Sequence, residues 1–158
     1  MPIQHASDKI LKAMGRRTNN AELRNIISKL RKEIPDICLR TTLITGFPGE
    51  TEEDHQILLD FIDEMEFDRL GVFTYSPEED TKAASLDNQV DEEVKLCRKD
   101  EIMELQQEIS MDKSERLVGK EIEVIIEGKA SDEDVYVGRS YMDAPSAVSY
   151  THLRAHET

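Results

Sequence analysis

The chain has 158 residues, a length that fits one domain, or one domain plus part of another. Charged residues make up 34% and apolar residues 38%, lean in core formers yet too apolar for a wholly disordered chain. Asp and Glu number 34 against 20 Lys and Arg, and the resulting charge of -14 repels phosphate backbones and serves plain solubility, with attraction of a basic protein partner as the alternative reading.

Residues 1–5 read as the end of a strand. A short helix follows, with Ser7 or Asp8 as N-cap, Ile10, Leu11 and Met14 inside, and Gly15-Arg16-Arg17-Thr18 closing it. Leu23, Ile26, Ile27, Leu30 and Ile34 recur at helical spacing over about 21–33, between an Asn19 or Asn20 cap and Pro35. The β-branched run 37–45 predicts a buried strand, and Gly46-Phe47-Pro48-Gly49-Glu50 a turn. Thr51, with Asp54 three residues on, caps a helix whose inner face is Ile57, Leu58, Phe61, Ile62 and Met65. A strand over 70–75 ends at Ser76-Pro77, and Glu78-Glu79-Asp80 reads as a solvated loop. A long helix over about 91–115 would bury Val94, Cys97, Ile102, Leu105 and Ile109. After Gly119 the period changes to two: Ile122, Val124 and Ile126, a turn at 130–134, then Val135-Tyr136-Val137 predict a small antiparallel ribbon.

Strand–helix alternation predicts an α/β fold with a parallel sheet or a piece of a (β/α) barrel. Neither part reads as complete, because three parallel strands leave a core uncovered and a two-stranded ribbon is marginal alone. That reading expects an exposed apolar seam along the leading strand. No run of 18 apolar residues exists to cross a membrane as a helix, and the N-terminus lacks a signal-peptide pattern. Cys38 and Cys97 form no CxxC or CxxxCxxC set and read as buried thiols in a reducing compartment. His5, His55, His152 and His156 are scattered, so no metal ligands are assigned.

Ligands of alternating strand–helix folds sit at the carboxyl ends of strands. Three segments converge there: Gln4-His5-Ala6-Ser7, residues 45–50 and Thr74-Tyr75-Ser76-Pro77. The GFPGE turn puts backbone N–H groups at a helix start, which suits an anionic group, but no Lys-Ser or Lys-Thr follows to make a nucleotide-binding P-loop. Plain turn chemistry explains the same residues. Arg40, in an otherwise apolar strand, needs a partner or an opening to solvent. Gln4 and His5, at a strand end beside Ser7, could hydrogen-bond a cofactor or cap the next helix.

Three segments, PIQHASDKILKAMGRRT, LRTTLITGFPGETEED and FDRLGVFTYSPEEDT, resemble the second half of the radical S-adenosylmethionine (SAM) core of methylthiotransferases. VGKEIEVIIEG followed by VYVGRSYMDAP resembles the start of their TRAM domain, a small antiparallel β-barrel. The resemblance covers about 2–145. It implies domains over 1–116 (C-terminal half of a radical SAM partial (β/α) barrel) and 117–147 (truncated TRAM domain). The final residues 148–158 resemble a translated sequencing adaptor and are expected to be a disordered, non-native tail.

Gln4-His5, Arg16-Arg17-Thr18 and the 70–79 run resemble the RimO-type branch, which modifies an aspartate of a small-subunit ribosomal protein, rather than the MiaB-type branch, which modifies an adenosine of transfer RNA. A non-catalytic acidic module that binds basic proteins is the alternative from another class. The resemblance implies a cytoplasmic monomeric enzyme that uses SAM and two [4Fe-4S] clusters to add a methylthio group to an aspartate β-carbon. A 5′-deoxyadenosyl radical would abstract the hydrogen. The cluster cysteines of that family have no counterparts here, so the chain alone is expected to be inactive and poorly folded. Carried over residue by residue, Gln4, Ser7, Arg40, Thr42, Gly46, Phe47, Pro48, Gly49 and Glu50 are expected to line the SAM pocket, with 74–77 shaping its wall. No catalytic residue is assigned.

Overall fold

The computed structural model describes residues 2–79, 81–129, 135–143 and 151–154. The chain divides into two compact units, Met1–Arg116 and Leu117–Thr158.

In the first unit, α1 (Asp8–Ala13) and α2 (Asn20–Glu33) precede β1 (Arg40–Thr45), α3 (Glu52–Met65), β2 (Arg69–Thr74) and α4 (Glu92–Glu115). β1 and β2 pair in parallel, with Leu43 opposite Val72. The expected leading strand is reduced to one residue, Gln4, which forms a parallel bridge to Leu43. Its N–H donates to the Thr42 carbonyl, and its own carbonyl accepts from the Ile44 N–H. Gln4 adopts a left-handed φ of 72°, which turns the chain out of strand geometry. The observed fold class is thus mixed α/β with parallel pairing.

Apolar periodicity decides which faces meet. Leu23 and Ile27 of α2, Leu58, Phe61 and Ile62 of α3, and Ile102 of α4 join Leu43 in one buried cluster. Among the described residues, the exposed seam expected along the leading segment is not found: Ile3 is 4% exposed and belongs to that cluster.

α4 departs most from its apolar pattern. Ile102 and Ile109 are buried as expected, but Val94 and Cys97 face solvent while Lys95, Arg98 and Gln106 are buried. Polar acceptors set this rotation. Lys95 Nζ donates to the Tyr75 carbonyl, Arg98 Nη1 to Glu50, and Gln106 Nε2 to the Phe67 carbonyl. Cys38 is half-buried, so neither thiol is fully enclosed.

The second unit holds β3 (Val124–Lys129), β4 (Val135–Ser140) and β5 (Thr151–Arg154), antiparallel in that order. The β3–β4 register shifts between Ile126 and Gly128, a β-bulge. The expected turn at 130–134 lies outside the described residues. So do 144–150 and 155–158, which hold much of the expected disordered tail. Within that tail, Thr151–Arg154 differs from expectation, because it pairs with Val135–Gly138. A strand edge offers unpaired N–H and C=O groups, and a short Thr-His-Leu-Arg run can satisfy them.

Candidate functional site

The loop leaving β1 is fixed by one buried carboxylate. Glu50 accepts from the Gly46 N–H at 2.9 Å, from Thr45 Oγ1 at 3.2 Å, from His5 Nε2 at 3.2 Å and from Arg98 Nη1 at 2.8 Å. His5 Nδ1 accepts the Ser7 N–H at 3.0 Å, so the proton facing Glu50 is on Nε2. Burial alone would push the Glu50 pKa up. The hydrogen bond from His5, with the Gly46 N–H and the Arg98 charge, holds it below the ordinary glutamate value.

Beyond the loop, Thr51 caps α3 in a complete capping box with Asp54. Asp54 also accepts from Ser7 Oγ at 2.6 Å and Lys9 Nζ at 2.7 Å. Burial opposes its ionisation, but these bonds and those from Thr51 outweigh burial and hold its carboxyl well below the aspartate range. Ser7 sits at the N-cap of α1 with no side-chain cap bond, its hydroxyl being committed to Asp54.

Gly46 needs its missing Cβ. At φ +73° a methyl there would stand 2.2 Å from Lys95 Cγ. The Lys95 stem thus passes beneath the loop, and its ammonium lies 5.6 Å from the Tyr75 ring centroid. Tyr75 meets Phe47 edge to face at 5.2 Å.

These rings form one wall of a cleft of about 490 Å³ at the carboxyl ends of β1 and β2, lined also by Gln4, Ile44, Met14, Arg16 and Lys82. Two polar atoms on the lining side chains, Gln4 Oε1 and Tyr75 Oη, are buried without a hydrogen-bond partner. Such atoms are costly unless a ligand or water meets them.

The structure brings Gln4 and Phe47 to this cleft and distributes the other expected residues elsewhere. Ser7 and Glu50 bond internally, Gly46 and Pro48 are buried, and Gly49 takes φ +84° and donates to the Asn88 carbonyl. Thr42 is half-buried mid-strand, opposite Gly71. Arg40 begins β1 at its amino end, exposed and opposite Arg69, so it does not join the carboxyl-end cleft. Sequence reasoning read Arg16 as a solvated helix end and passed over Lys82; only proximity in space could bring them to the cleft.

A second polar link, from buried His55 to half-exposed Glu101, joins α3 to α4. His55 Nε2 lies 2.8 Å from Glu101 Oε2, and Cys97 Sγ donates to Glu101 Oε1 at 3.5 Å. The bond from His55 holds Glu101 below the usual glutamate value, and Glu101 in turn pushes the Cys97 thiol up. Among the described residues, no group of three or more His, Cys, Asp or Glu could hold a metal ion. This chain's described residues therefore do not fit an iron–sulfur cluster.

Comparison with known proteins sharpens the picture. Residues 1–62 match the radical SAM superfamily model and residues 118–147 the TRAM domain model. The chain is 60% identical over 150 residues to "Ribosomal protein uS12 methylthiotransferase RimO" of Lachnoclostridium phytofermentans, covering 95% of this chain and 34% of that protein. It is 54% identical to the protein of the same name from Acetivibrio thermocellus (92% of this chain, 32% of that one). It is 50% identical to the one from Clostridioides difficile (98% and 35%). The chain thus spans about a third of the length of the curated relatives it matches. Two domain signatures in this order, together with relatives of one name along nearly the whole chain, make it a member of the RimO-type radical SAM methylthiotransferase family.

Proposed function

We propose that the strand-end cleft is one wall of a SAM site, in a polypeptide that adds a methylthio group to an aspartate β-carbon of a basic small-subunit ribosomal protein. The observation that carries the reading is the pair of unpartnered buried atoms, Gln4 Oε1 and Tyr75 Oη, on side chains that line a cleft of about 490 Å³. An acceptor and a hydroxyl suit the exocyclic amine and ribose oxygens of an adenosyl group, and the Phe47 and Tyr75 rings suit its base. Arg16 and Lys82, on the same lining, supply charge opposite a carboxylate. When bound, SAM supplies both the radical precursor and the methyl group, with the two [4Fe-4S] clusters held by residues other than those described here.

In this reading the parallel strands belong to a partial (β/α) barrel over 1–116, and 117–147 opens a TRAM barrel. The remaining expected SAM residues, Ser7, Arg40, Thr42, Gly46, Pro48, Gly49 and Glu50, divide by role. Glu50, Gly46 and Ser7 shape the loop, while Arg40 stands apart from the cleft. The enzyme acts in the cytoplasm, as a monomer, on a substrate whose positive charge matches the chain's -14.

A chimera tests the reading: this chain replaces the matching third of the Lachnoclostridium phytofermentans relative. The chimera should methylthiolate recombinant uS12, and Gln4→Ala with Tyr75→Phe should weaken SAM binding about tenfold, as expected for two lost hydrogen bonds. A folded, cluster-loaded chimera that binds SAM equally well with both substitutions would refute the cleft assignment.

A further inference from the structure

The carboxyl ends of the strands are not the only open feature of the first unit. β2 has β1 as its sheet neighbour on one side. The Arg69 N–H donates to the Leu39 carbonyl and the Tyr75 N–H to the Thr45 carbonyl, so the odd-numbered residues of β2 face β1. By strand alternation, the N–H and C=O groups of Leu70, Val72 and Thr74 face the other way. At the amino end of β2 lies a groove of about 570 Å³, lined by Arg69 and Leu70 of β2 and by Asp100, Met103, Glu104 and Gln107 of α4, among others. Phe73 is 63% exposed on the strand and Met103 42% on the helix. Asp100 and Glu104 are one helical turn apart, both exposed, and neither makes an ion pair among the described residues.

We propose that this edge docks an extended, lysine- or arginine-rich protein segment, which adds to β2 as a further strand. Backbone groups of Leu70, Val72 and Thr74 pair with the incoming strand. Its apolar side chains meet Leu70 and Met103, and its basic ones face Asp100 and Glu104. Charge selects the occupant. The groove's free acidic pair and the chain's -14 favour a cationic polypeptide and repel RNA. The groove begins at Arg69, at the opposite end of β2 from the cleft. The proposal therefore stands on the edge of β2 that no other strand among the described residues pairs with, and on its charges, independently of the cofactor reading.

The probe is a fluorescein-labelled octapeptide of alternating lysine and valine, titrated into the full chain at low salt. Saturable binding should slow hydrogen exchange of the Leu70, Val72 and Thr74 amides by about tenfold or more. Asp100→Lys with Glu104→Lys, both at exposed positions, should weaken binding about tenfold, and a peptide with alternate N-methylated amides should fail to bind. Undiminished binding of the N-methylated peptide would reduce the surface to simple charge attraction and overturn the proposal. So would absence of binding, or protection confined to other amides. Protection of the three amides that rises with protein concentration, without peptide, would assign the edge to a second copy of the chain instead.

Discussion

Glu50 gathers four donors from three parts of the chain, so its charge organises the loop at the carboxyl end of β1. Glu50→Gln would leave the buried Arg98 guanidinium with only the exposed Glu52 carboxylate, 3.3 Å away, as counter-charge. Stability should fall by about 3 kcal/mol in urea unfolding. An unchanged midpoint would show that Arg98 is compensated elsewhere. Three carboxylates, Glu50, Asp54 and Glu101, have pKa values below their ordinary ones in the folded chain. The unfolded state therefore binds more protons as pH drops. Their contribution is complete above the unfolded carboxylate range, near pH 4, and is lost progressively below it. Melting temperature should thus decline steeply between pH 5 and about pH 2, and Asp54→Asn should flatten that slope as it lowers stability at neutral pH. Parallel curves for the two proteins would contradict the assignment. Gln4 and Phe47 were legible from the sequence because turn chemistry and strand ends announce themselves locally. Lys95 and His55 were not, because their partners come from distant segments and nothing in an apolar period marks a buried ammonium.

Among the elements, α3 was read correctly from its start, since Thr51 and Asp54 sit at capping-box spacing. Thr51→Ala removes the acceptor for the Asp54 N–H and one donor to the Asp54 carboxylate. A loss of about 1–2 kcal/mol by thermal unfolding is expected, against near neutrality for an exposed change such as Glu53→Ala. α4 shows the limit of periodicity. Its length was evident, yet its inward face mixes Ile102 and Ile109 with Lys95, Arg98 and Gln106. A helix that anchors through long polar side chains carries almost no amphipathic signal, so the expected stripe was placed through Val94 and Cys97. The leading strand was overdrawn for a related reason. Only Gln4 bridges β1, and its left-handed backbone could not be inferred from residue type.

Across the whole chain, the two units bury apolar surface unequally. The first encloses Leu43, Leu58, Phe61, Ile62 and Ile102 at 0% exposure, whereas in the second Ile125 and Ile126 remain 74% and 59% exposed. Amides of β1, α3 and α4 should accordingly exchange at least about a hundredfold more slowly than those of β3 and β4 in native-state hydrogen exchange. Equal protection would mean that the second unit gains stability from interactions outside its own core. The mixed α/β class and the change of period after Gly119 were visible in the sequence, because each follows from spacing. The pairing of Thr151–Arg154 was not, since a strand edge recruits whatever compatible backbone lies near.

The crossing of the Lys95 stem beneath Gly46 has a bearing on ancestry and recombination. A side chain larger than hydrogen at the first position demands a slimmer residue at the second, so the two sites cannot drift independently. Gene-shuffling breakpoints placed between them will yield viable offspring only where both parents carry the same small-and-long combination.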